Sequence, residues 1–306
     1  MTDANAIGRD LLQALDDLNG VHPGYRAAHA KGMMFTGTFT PARDATSLTR
    51  APHAERASTP VTVRFSDSAG IPTVADNAPN GASPRGIAIR FHLAPHVHTD
   101  IIGHSTDGFP VRTPEEFLEF LRAAHAGPSA IGPFLASHPT AKRLIETPKP
   151  IPASFAREAF FGVNAFKFTS RAGASRYGRF RIRPDAGTEH LADAAAAAKS
   201  ANFLFDEIAE RVAMRPVTFR VVVQLAAQGD VVDDATAHWP EDRSQLEFGT
   251  LALTRRVADD DVEARRIIFD PIPRVDGIEA SGDPLLDPRA AVYLLSGRRR
   301  RAAGAR

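Results

Sequence analysis

Strand-forming segments dominate two stretches of the chain and limit its fold more than any other feature. In residues 85–93, RGIAIRFHL, the apolar residues Ile87, Ile89 and Phe91 fall on one face, which is the two-residue period of a half-buried strand. Residues 71–83, which precede it, are rich in Pro, Asn and Gly, and this composition predicts a loop. Further strand-forming segments cover residues 33–42, 59–70, 163–170, 177–184, 217–228 and 246–257.

Helical patterns lie between and after these strands. Predicted helices cover residues 7–20, 113–127 and 191–214, and a last one begins near Pro288. The second of them has the clearest start, because Thr113 suits the N-cap and Pro114 suits the first helical position. No repeat or linker divides the sequence. We therefore predict a single α+β domain over residues 1–306, built as a large antiparallel sheet or β-barrel with peripheral helices.

Composition excludes several classes of protein. The chain has 306 residues and no cysteine, which excludes disulfides, zinc–thiolate sites, iron–sulfur clusters and thiolate ligation of haem. The net charge of +1 favours neither nucleic acid nor a membrane surface, and we assign the arginine-rich residues 297–306 to a solvated tail. No apolar run approaches about 18 residues, and the N-terminal residues carry acids where a secretory signal would be basic. A cytoplasmic protein is therefore expected.

Six short motifs occur in the order and approximate spacing that they have in the haem catalase family. They are YRAAHAKG (25–32), VRFSDSAG (63–70), SPRGIAIRF (83–91), FPVRTPEEFLEF (109–120), HWPEDR (238–243) and DPRAAVY (287–293). One such motif alone is a weak signal, but together they resemble this family specifically, over residues 21–300. The length resembles that of the short catalase-related peroxidases, which keep the haem barrel without the long N-terminal arm and C-terminal domain. The resemblance implies a catalase-like antiparallel β-barrel that binds haem b.

The motif near the C-terminal end supplies the iron ligand in this family. The resemblance implies that Tyr293 is the proximal ligand of the haem iron, a role that tyrosine takes in catalases. Arg289 lies four residues earlier, so both side chains share one helix face, where a guanidinium favours the phenolate. Arg300, reached by counting without gaps, matches an arginine that binds a haem propionate. Taken alone, Tyr293 would be interpreted as an ordinary core residue of an amphipathic helix.

The HAKG motif supplies the acid–base group in this family. The resemblance implies that His29 takes a proton from the near oxygen of the peroxide and returns it to the far oxygen, which suits a side chain that titrates near neutral pH. Ser66 matches the serine that orients this histidine. Arg26 and Arg64 match arginines that bind the haem propionates, since guanidinium forks suit carboxylates. Phe117 matches a phenylalanine that stacks on a haem pyrrole.

One position departs from the family pattern. Full catalases carry a distal asparagine that holds the peroxide, and alignment without gaps places His104 there. Its ring either donates a hydrogen bond in the pocket or points away as a loop histidine. Without the asparagine, the reaction with a second peroxide is expected to slow, and reduction by another electron donor then competes.

These features imply an oxidative-stress enzyme, a haem-dependent peroxidase. It is expected to reduce hydrogen peroxide or organic hydroperoxides through a ferryl intermediate, with weak or no catalase activity. The expected partners are the peroxide and a small-molecule electron donor, with no nucleic acid and no membrane, and base rates for soluble enzymes favour a homodimer. Two alternatives stay open: a haem enzyme that rearranges hydroperoxides, and a non-catalytic haem carrier or sensor on the same barrel.

Overall fold

The computed structural model of the chain describes residues 4–78 and 82–304. Residues 79–81 of the predicted 71–83 loop and residues 305–306 of the basic tail lie outside the described residues. The strands are β1 (Gly32–Pro41), β2 (Thr59–Ser66), β3 (Gly86–Ala94), β4 (Val97–His104), β5 (Phe160–Phe161), β6 (Phe166–Thr169), β7 (Ser175–Pro184), β8 (Val217–Leu225), β9 (Gln245–Arg256) and β10 (Ile278–Ala280). The helices are α1 (Ala4–Asn19), α2 (Ala45–Leu48), α3 (Pro52–Glu55), α4 (Pro114–Ala126), α5 (Pro128–Ser137), α6 (Pro139–Glu146), α7 (Asp193–Ala197), α8 (Phe203–Met214), α9 (Asp260–Arg266) and α10 (Leu286–Ala303), with a 3₁₀ turn at Phe155–Arg157.

Eight strands of the described chain close into an antiparallel barrel. The order around it is β7, β5, β4, β3, β2, β1, β9 and β8, and β8 pairs again with β7. The short strands β6 and β10 extend the sheet beside the first half of β7. This arrangement confirms the predicted α+β barrel with peripheral helices.

Phenylalanine rings fill the barrel interior. Phe39 meets Phe91 edge to face with ring centroids 5.1 Å apart, and Phe65 stacks on Phe155 at the same separation. An eight-stranded barrel is just wide enough to be filled by its own side chains. The interior is therefore a packed core, and space for a large ligand is found outside it.

Helices α1, α4 and α10 pack together outside the barrel. Gly8 of α1 lies so close to α10 that a Cβ added there would be 2.7 Å from the Cβ of Ala291. Leu11 of α1 and Leu118 of α4 share an apolar cluster. None of the helices in the described ranges is both long and apolar enough to cross a membrane.

The start of α4, the position of α10 and the presence of β4 can each be compared with the sequence predictions. The predicted N-cap is present, since Thr113 Oγ1 accepts a hydrogen bond from the Glu116 N–H and the Glu116 carboxylate accepts one from the Thr113 N–H, both at 3.2 Å. Helix α10 begins at Leu286, slightly earlier than predicted, and continues to Ala303. The expected solvated tail is therefore wrong for residues 297–303, which are helical and include the buried Gly297 and Arg300. Strand β4 was not predicted, because its alternation is broken by Asp100, a buried carboxylate whose partners, Arg90 and the Asp270 N–H, lie outside the strand.

The predicted single helix over residues 191–214 is wrong, because the chain forms two helices there, α7 and α8, separated by residues 198–202. In this gap the Ala201 carbonyl accepts hydrogen bonds from the Lys31 ammonium and from the backbone N–H of Asp76. These tertiary contacts take up a carbonyl that a continuous helix would use. The alanine-rich sequence carries no sign of them.

A buried histidine in the barrel core predicts a pH-dependent stability. His53 is 1% exposed, its ring lies 4.6 Å from that of Phe91, and its Nδ1 has no hydrogen-bond partner among the described residues. Burial, with a smaller contribution from Arg56, lowers the pKa of His53 to about 3. An unfolded histidine titrates near 6.5, so the unfolded state binds more protons below that pH. The free energy of unfolding therefore falls by about 1.4 kcal/mol per pH unit as the pH drops from about 6.5 towards 3.

We expect His53→Phe to remove this contribution, because phenylalanine suits the same aromatic cluster and does not titrate. Urea unfolding at about pH 7 and pH 5 gives the free energy of unfolding of both proteins. Between these two pH values the wild type should lose about 2 kcal/mol more stability than the variant. His125→Gln, at an exposed histidine of α4, is the control. Parallel pH profiles for His53→Phe and the wild type would contradict the prediction.

Candidate active site

A cavity, which together with the open solvent at its mouth encloses about 670 Å³, lies between the outer face of strands β3 and β4 and helix α10. Ala88 of β3 and Ile102 of β4 are register partners and line it together. Ala88 alternates with Ile89, which lies in the barrel core, so the cavity is outside the barrel wall. The predicted site residues that line it are Arg26, His29, Arg64, Ser66, His104, Tyr293 and Arg300.

His29 lies in the loop between α1 and β1 in a strained backbone conformation. Its φ is 57°, in the left-handed region, where a residue other than glycine costs about 1–3 kcal/mol. The loop is held there by hydrogen bonds from the His29 N–H to the Ser68 carbonyl and from the Ala30 N–H to the Ala69 carbonyl, both 2.9 Å. Such strain, held in place by its surroundings, clusters at functional sites.

Ser66, the last residue of β2, holds the His29 ring. Its Oγ is 3.0 Å from His29 Nδ1, and its side chain is buried. Gly86 leaves room for this contact, since a Cβ there would lie 2.6 Å from Ser66 Oγ and 2.8 Å from His29 Nδ1. The structure thus brings His29 and Ser66 together, and it adds Gly86, which sequence reasoning missed.

His104 faces the same cavity from the end of β4. It is the register partner of Gly86, and its ring centroid lies 5.5 Å from that of His29 at an interplanar angle of 33°. The side chain therefore points into the pocket, which is one of the two orientations that the sequence left open. The strand explains this, because the pairing of β4 with β3 sets the direction of each side chain.

Both histidine rings are neutral in this environment. Burial lowers the pKa of His104 to about 3, and the Arg289 guanidinium contributes to the shift. Burial also lowers the pKa of His29 well below its usual value, with smaller contributions from His104 and Arg64. A neutral imidazole keeps a free lone pair, so His29 is able to accept a proton at neutral pH.

Arg26, Arg64 and Arg300 bring their guanidinium groups to one edge of the cavity. Arg26 and Arg300 both donate to the Ile267 carbonyl, at 3.3 and 2.9 Å. Burial lowers the pKa of Arg64 and of Arg300 to about 10, and it lowers that of Arg26 well below its usual value. Repulsion from Arg64 adds to the shifts of the other two. Asp260 offsets part of the positive charge, but three guanidinium groups exceed this one carboxylate, so the edge carries a net positive charge.

The residues of this cavity fit a haem. The Nε atoms of Arg64 and Arg300 are buried without a hydrogen-bond partner in the described part of the chain, and buried charged groups require partners. The two carboxylates of haem would supply them. Ala88, Ile102 and Val292 form apolar walls that suit a flat porphyrin.

Tyr293 lines the cavity from α10, on the side formed by that helix. Arg289, one turn earlier, is not among the described residues that line it. Its guanidinium donates a hydrogen bond to Asn164 Oδ1 and lies 5.9 Å from the centre of the Phe109 ring. Asn164 in turn donates to Asp283 Oδ2 at 2.8 Å, so a buried network that the sequence did not indicate holds Arg289 in place.

Phe117 also lies away from the cavity walls that the described residues form. Its ring centroid is 4.9 Å from that of Phe109 and 6.3 Å from that of Phe120, and it packs in the apolar clusters around α4. The structure therefore places Phe117 in helix packing, and its stacking on a haem pyrrole stays a prediction.

Sequence reasoning missed part of the cavity wall. Leu15 of α1 and the neighbouring residues Ile268 and Phe269, between α9 and β10, complete it. The helical period of α1 shows that Leu15 lies near the buried face but not what it faces. No periodic pattern marks the 268–269 segment, so no sequence signal identifies it.

The chain is similar to known proteins over nearly its whole length. The family model described as catalase matches residues 11–305. A catalase-related peroxidase of Mycolicibacterium paratuberculosis is 34% identical over 291 residues, which is 93% of this chain and 92% of that protein. A catalase-related peroxidase of Synechococcus elongatus is 33% identical, with coverage of 94% and 86%.

Solved catalase structures share the fold. A fungal catalase superposes with a TM-score of 0.81 at 22% identity, covering 95% of this chain and 62% of the catalase. Catalase A from Saccharomyces cerevisiae gives a TM-score of 0.81 at 22% identity, with coverage of 95% and 64%. The chain thus spans less than two thirds of the length of these catalases. The barrel and the near full-length match to shorter relatives show that the chain belongs to the catalase family, among its short members of the catalase-related peroxidase type.

Proposed function

We propose that this protein is a haem b-dependent peroxidase that reduces hydrogen peroxide or organic hydroperoxides with electrons from a small-molecule donor, and that its catalase activity is weak. Membership of the catalase family makes the chain an oxidoreductase acting on peroxide. The observation that carries the finer proposal is the pair of histidine rings, His29 and His104, 5.5 Å apart in one cavity. A homodimer and a cytoplasmic location stay predictions from the sequence.

In this proposal His29 performs the proton transfers. In the tautomer whose Nδ1–H is donated to Ser66 Oγ, His29 Nε2 carries no proton and accepts one from the near oxygen of the peroxide. The resulting imidazolium gives the same proton to the far oxygen, which leaves as water or as an alcohol. The lowered pKa of His29 supports both steps, because it keeps the ring neutral beforehand and makes the imidazolium a ready acid.

Other residues of the cavity would hold the cofactor. Tyr293 would bind the iron, and Arg26, Arg64 and Arg300 would pair with the haem carboxylates. Bound haem, through its iron and its porphyrin together, would supply the two electrons that breaking the O–O bond requires. Arg289, one helical turn before Tyr293, is held by its hydrogen bond to Asn164 and would place a positive charge near the ligand.

His104 is expected to set the balance between peroxidase and catalase turnover. A neutral imidazole offers one N–H donor and one acceptor nitrogen, fewer than the amide of an asparagine, so it holds a second peroxide less well. We expect the wild type to oxidise an aromatic donor faster than it evolves oxygen from peroxide. His104→Asn should raise the ratio of oxygen evolution to donor oxidation. An oxygen electrode and the absorbance of the oxidised donor, used on one preparation, measure this ratio.

His98→Asn is the matched control, because His98 lies on the same strand β4 and the described cavity lining does not include it. This variant should behave as the wild type. Oxygen evolution by the wild type at the rate of full catalases, without donor oxidation, would contradict the proposal. Consumption of an organic hydroperoxide without any donor would instead indicate the rearrangement reaction.

A further inference from the structure

The left-handed conformation of His29 depends on contacts between two segments, the histidine loop (residues 29–31) and the serine segment (residues 66–69). Three backbone hydrogen bonds of 2.9, 2.9 and 3.2 Å join them. The first is made by His29 itself. An unrestrained residue of this type prefers negative φ, so these contacts keep His29 where it is.

Three buried charged side chains and the half-buried Lys31 anchor both segments. Asp67 of the serine segment accepts a hydrogen bond from Arg85, which also donates to the backbone carbonyl of Asp76. Lys31 of the histidine loop donates to the Asp76 carboxylate. Asp67 and Asp76 are 0% exposed and Arg85 is 1% exposed, so their charges interact at low dielectric. Burial raises the pKa of Asp67 to about 7, and the neighbouring Asp76 adds to this shift, while the Arg85 guanidinium opposes it and favours the carboxylate.

Arg85 also anchors the opposite wall of the cavity. Its N–H donates to Ser105 Oγ, and its carbonyl accepts from the Ser105 N–H, both at 2.9 Å. Ser105 directly follows His104, and Gly86 directly follows Arg85. One buried arginine thus connects the backbones that carry both cavity histidines.

We propose that the Asp67–Arg85 ion pair is a positioning device that holds His29 against Ser66 in its left-handed conformation. This inference rests on the proposed acid–base role of His29. When the pair is broken, the serine segment loses its anchor and the histidine loop relaxes towards negative φ. The imidazole then leaves Ser66 Oγ, and its free nitrogen no longer faces the peroxide.

Asp67→Asn tests this, because it keeps the shape of the side chain and removes its charge. We expect unchanged haem content and a rate of reaction with peroxide that falls at least about tenfold, since a displacement of about 1 Å can cost about 10²-fold. The affinity for cyanide should fall in parallel, because a positioned distal base takes up the proton of hydrogen cyanide. In the haem-free protein, the NMR resonances of the His29 ring, assigned with His29→Gly, should shift or broaden.

Asp230→Asn is the matched control. The Asp230 side chain is 9% exposed and pairs with Arg243 through two hydrogen bonds of 2.8 and 2.9 Å, and the described cavity lining includes neither residue. We expect this variant to lose stability while it keeps the peroxide rate and the cyanide affinity.

A second variant covers the case in which an unpaired Arg85 prevents folding. Asp67→Leu combined with Arg85→Met replaces the whole ion pair with apolar groups, and buried pairs replaced in this way often keep their stability. We expect the double variant to fold and to show the same losses as Asp67→Asn.

Retention of the wild-type rate, cyanide affinity and His29 resonances in both variants would show that the pair does not position His29. Equal losses of rate and cyanide affinity in Asp230→Asn would show that the effect is general destabilisation and would also overturn the inference. Retention of the rate in His29→Ala would overturn the acid–base role itself, which is a separate outcome.

Discussion

His29→Ala is expected to react with peroxide about 10²–10⁴-fold more slowly than the wild type while keeping its haem, because this is the usual contribution of a positioned acid–base group. The variant loses the nitrogen that accepts the peroxide proton and then delivers it to the leaving oxygen. Arg26, Arg64 and Arg300 are untouched, so the residues proposed to bind the haem carboxylates stay in place. Stopped-flow mixing with peroxide, followed through the haem absorbance, measures the rate.

His29→Gly distinguishes the loss of the acid–base group from the relief of backbone strain at residue 29. Glycine adopts positive φ without steric cost, so this variant should fold at least as stably as His29→Ala and show the same loss of rate. A loss of less than about tenfold in both would mean that another group transfers the proton, since a positioned group contributes about 10²-fold or more. His104 would then be that group, and a further loss in the His29→Ala/His104→Ala variant would identify it.

Tyr293→Phe is expected to lose most of its haem affinity and the ferric charge-transfer bands of a phenolate-bound iron. Loss of an outer-shell partner typically costs about 10–100-fold in metal affinity, so loss of the ligand itself should cost at least about 10²-fold. Titration of the haem-free protein with haem, together with the absorption spectrum of the complex, gives both quantities. The physical reason is that a phenyl ring at this position has no atom that can bind iron.

Two variants make this result specific. Tyr177→Phe removes a phenol from strand β7 and should leave the haem affinity and the spectrum unchanged. Arg289→Lys keeps the positive charge one turn before Tyr293 and should keep haem with a shifted spectrum, because lysine lacks the guanidinium fork that meets Asn164. A Tyr293→Phe protein with wild-type haem content and wild-type charge-transfer bands would show that Tyr293 is not the ligand.

Local patterns predicted the regular elements best where one face of an element is apolar. The two-residue period predicted strand β3, and the Thr113 cap predicted the start of helix α4. Both signals involve only residues that are close together in the sequence. Strand β4 did not follow in this way, because the buried Asp100 depends on hydrogen bonds from Arg90 and from the Asp270 N–H, which are not part of this strand. The break between α7 and α8 escaped prediction for a similar reason, since the partner of the Ala201 carbonyl is Lys31, far away in sequence.

The family motifs predicted most of the cavity residues, but not how they are held. Arg64 on β2 and Arg300 on α10 are distant in sequence, and only the packing of α10 outside the barrel brings their guanidinium groups to one edge. Nothing in its motif marks Gly86 as important. The structure shows why glycine is needed there, because a Cβ at this position would collide with Ser66 Oγ and His29 Nδ1. Phe117 is a case where a motif residue packs in a helix cluster away from the cavity lining of the described chain.

By itself, the sequence determined the type of fold and the kinds of side chain available for chemistry, because strand period, helix caps and the absence of cysteine are properties of neighbouring residues and composition. The tertiary structure decided the orientation of His104, the left-handed backbone of His29 and the buried pairing of Asp67 with Arg85. Each of these depends on strand register or on contacts between segments that are separated along the chain. Their energies come from burial and pairing in three dimensions, which local sequence does not encode.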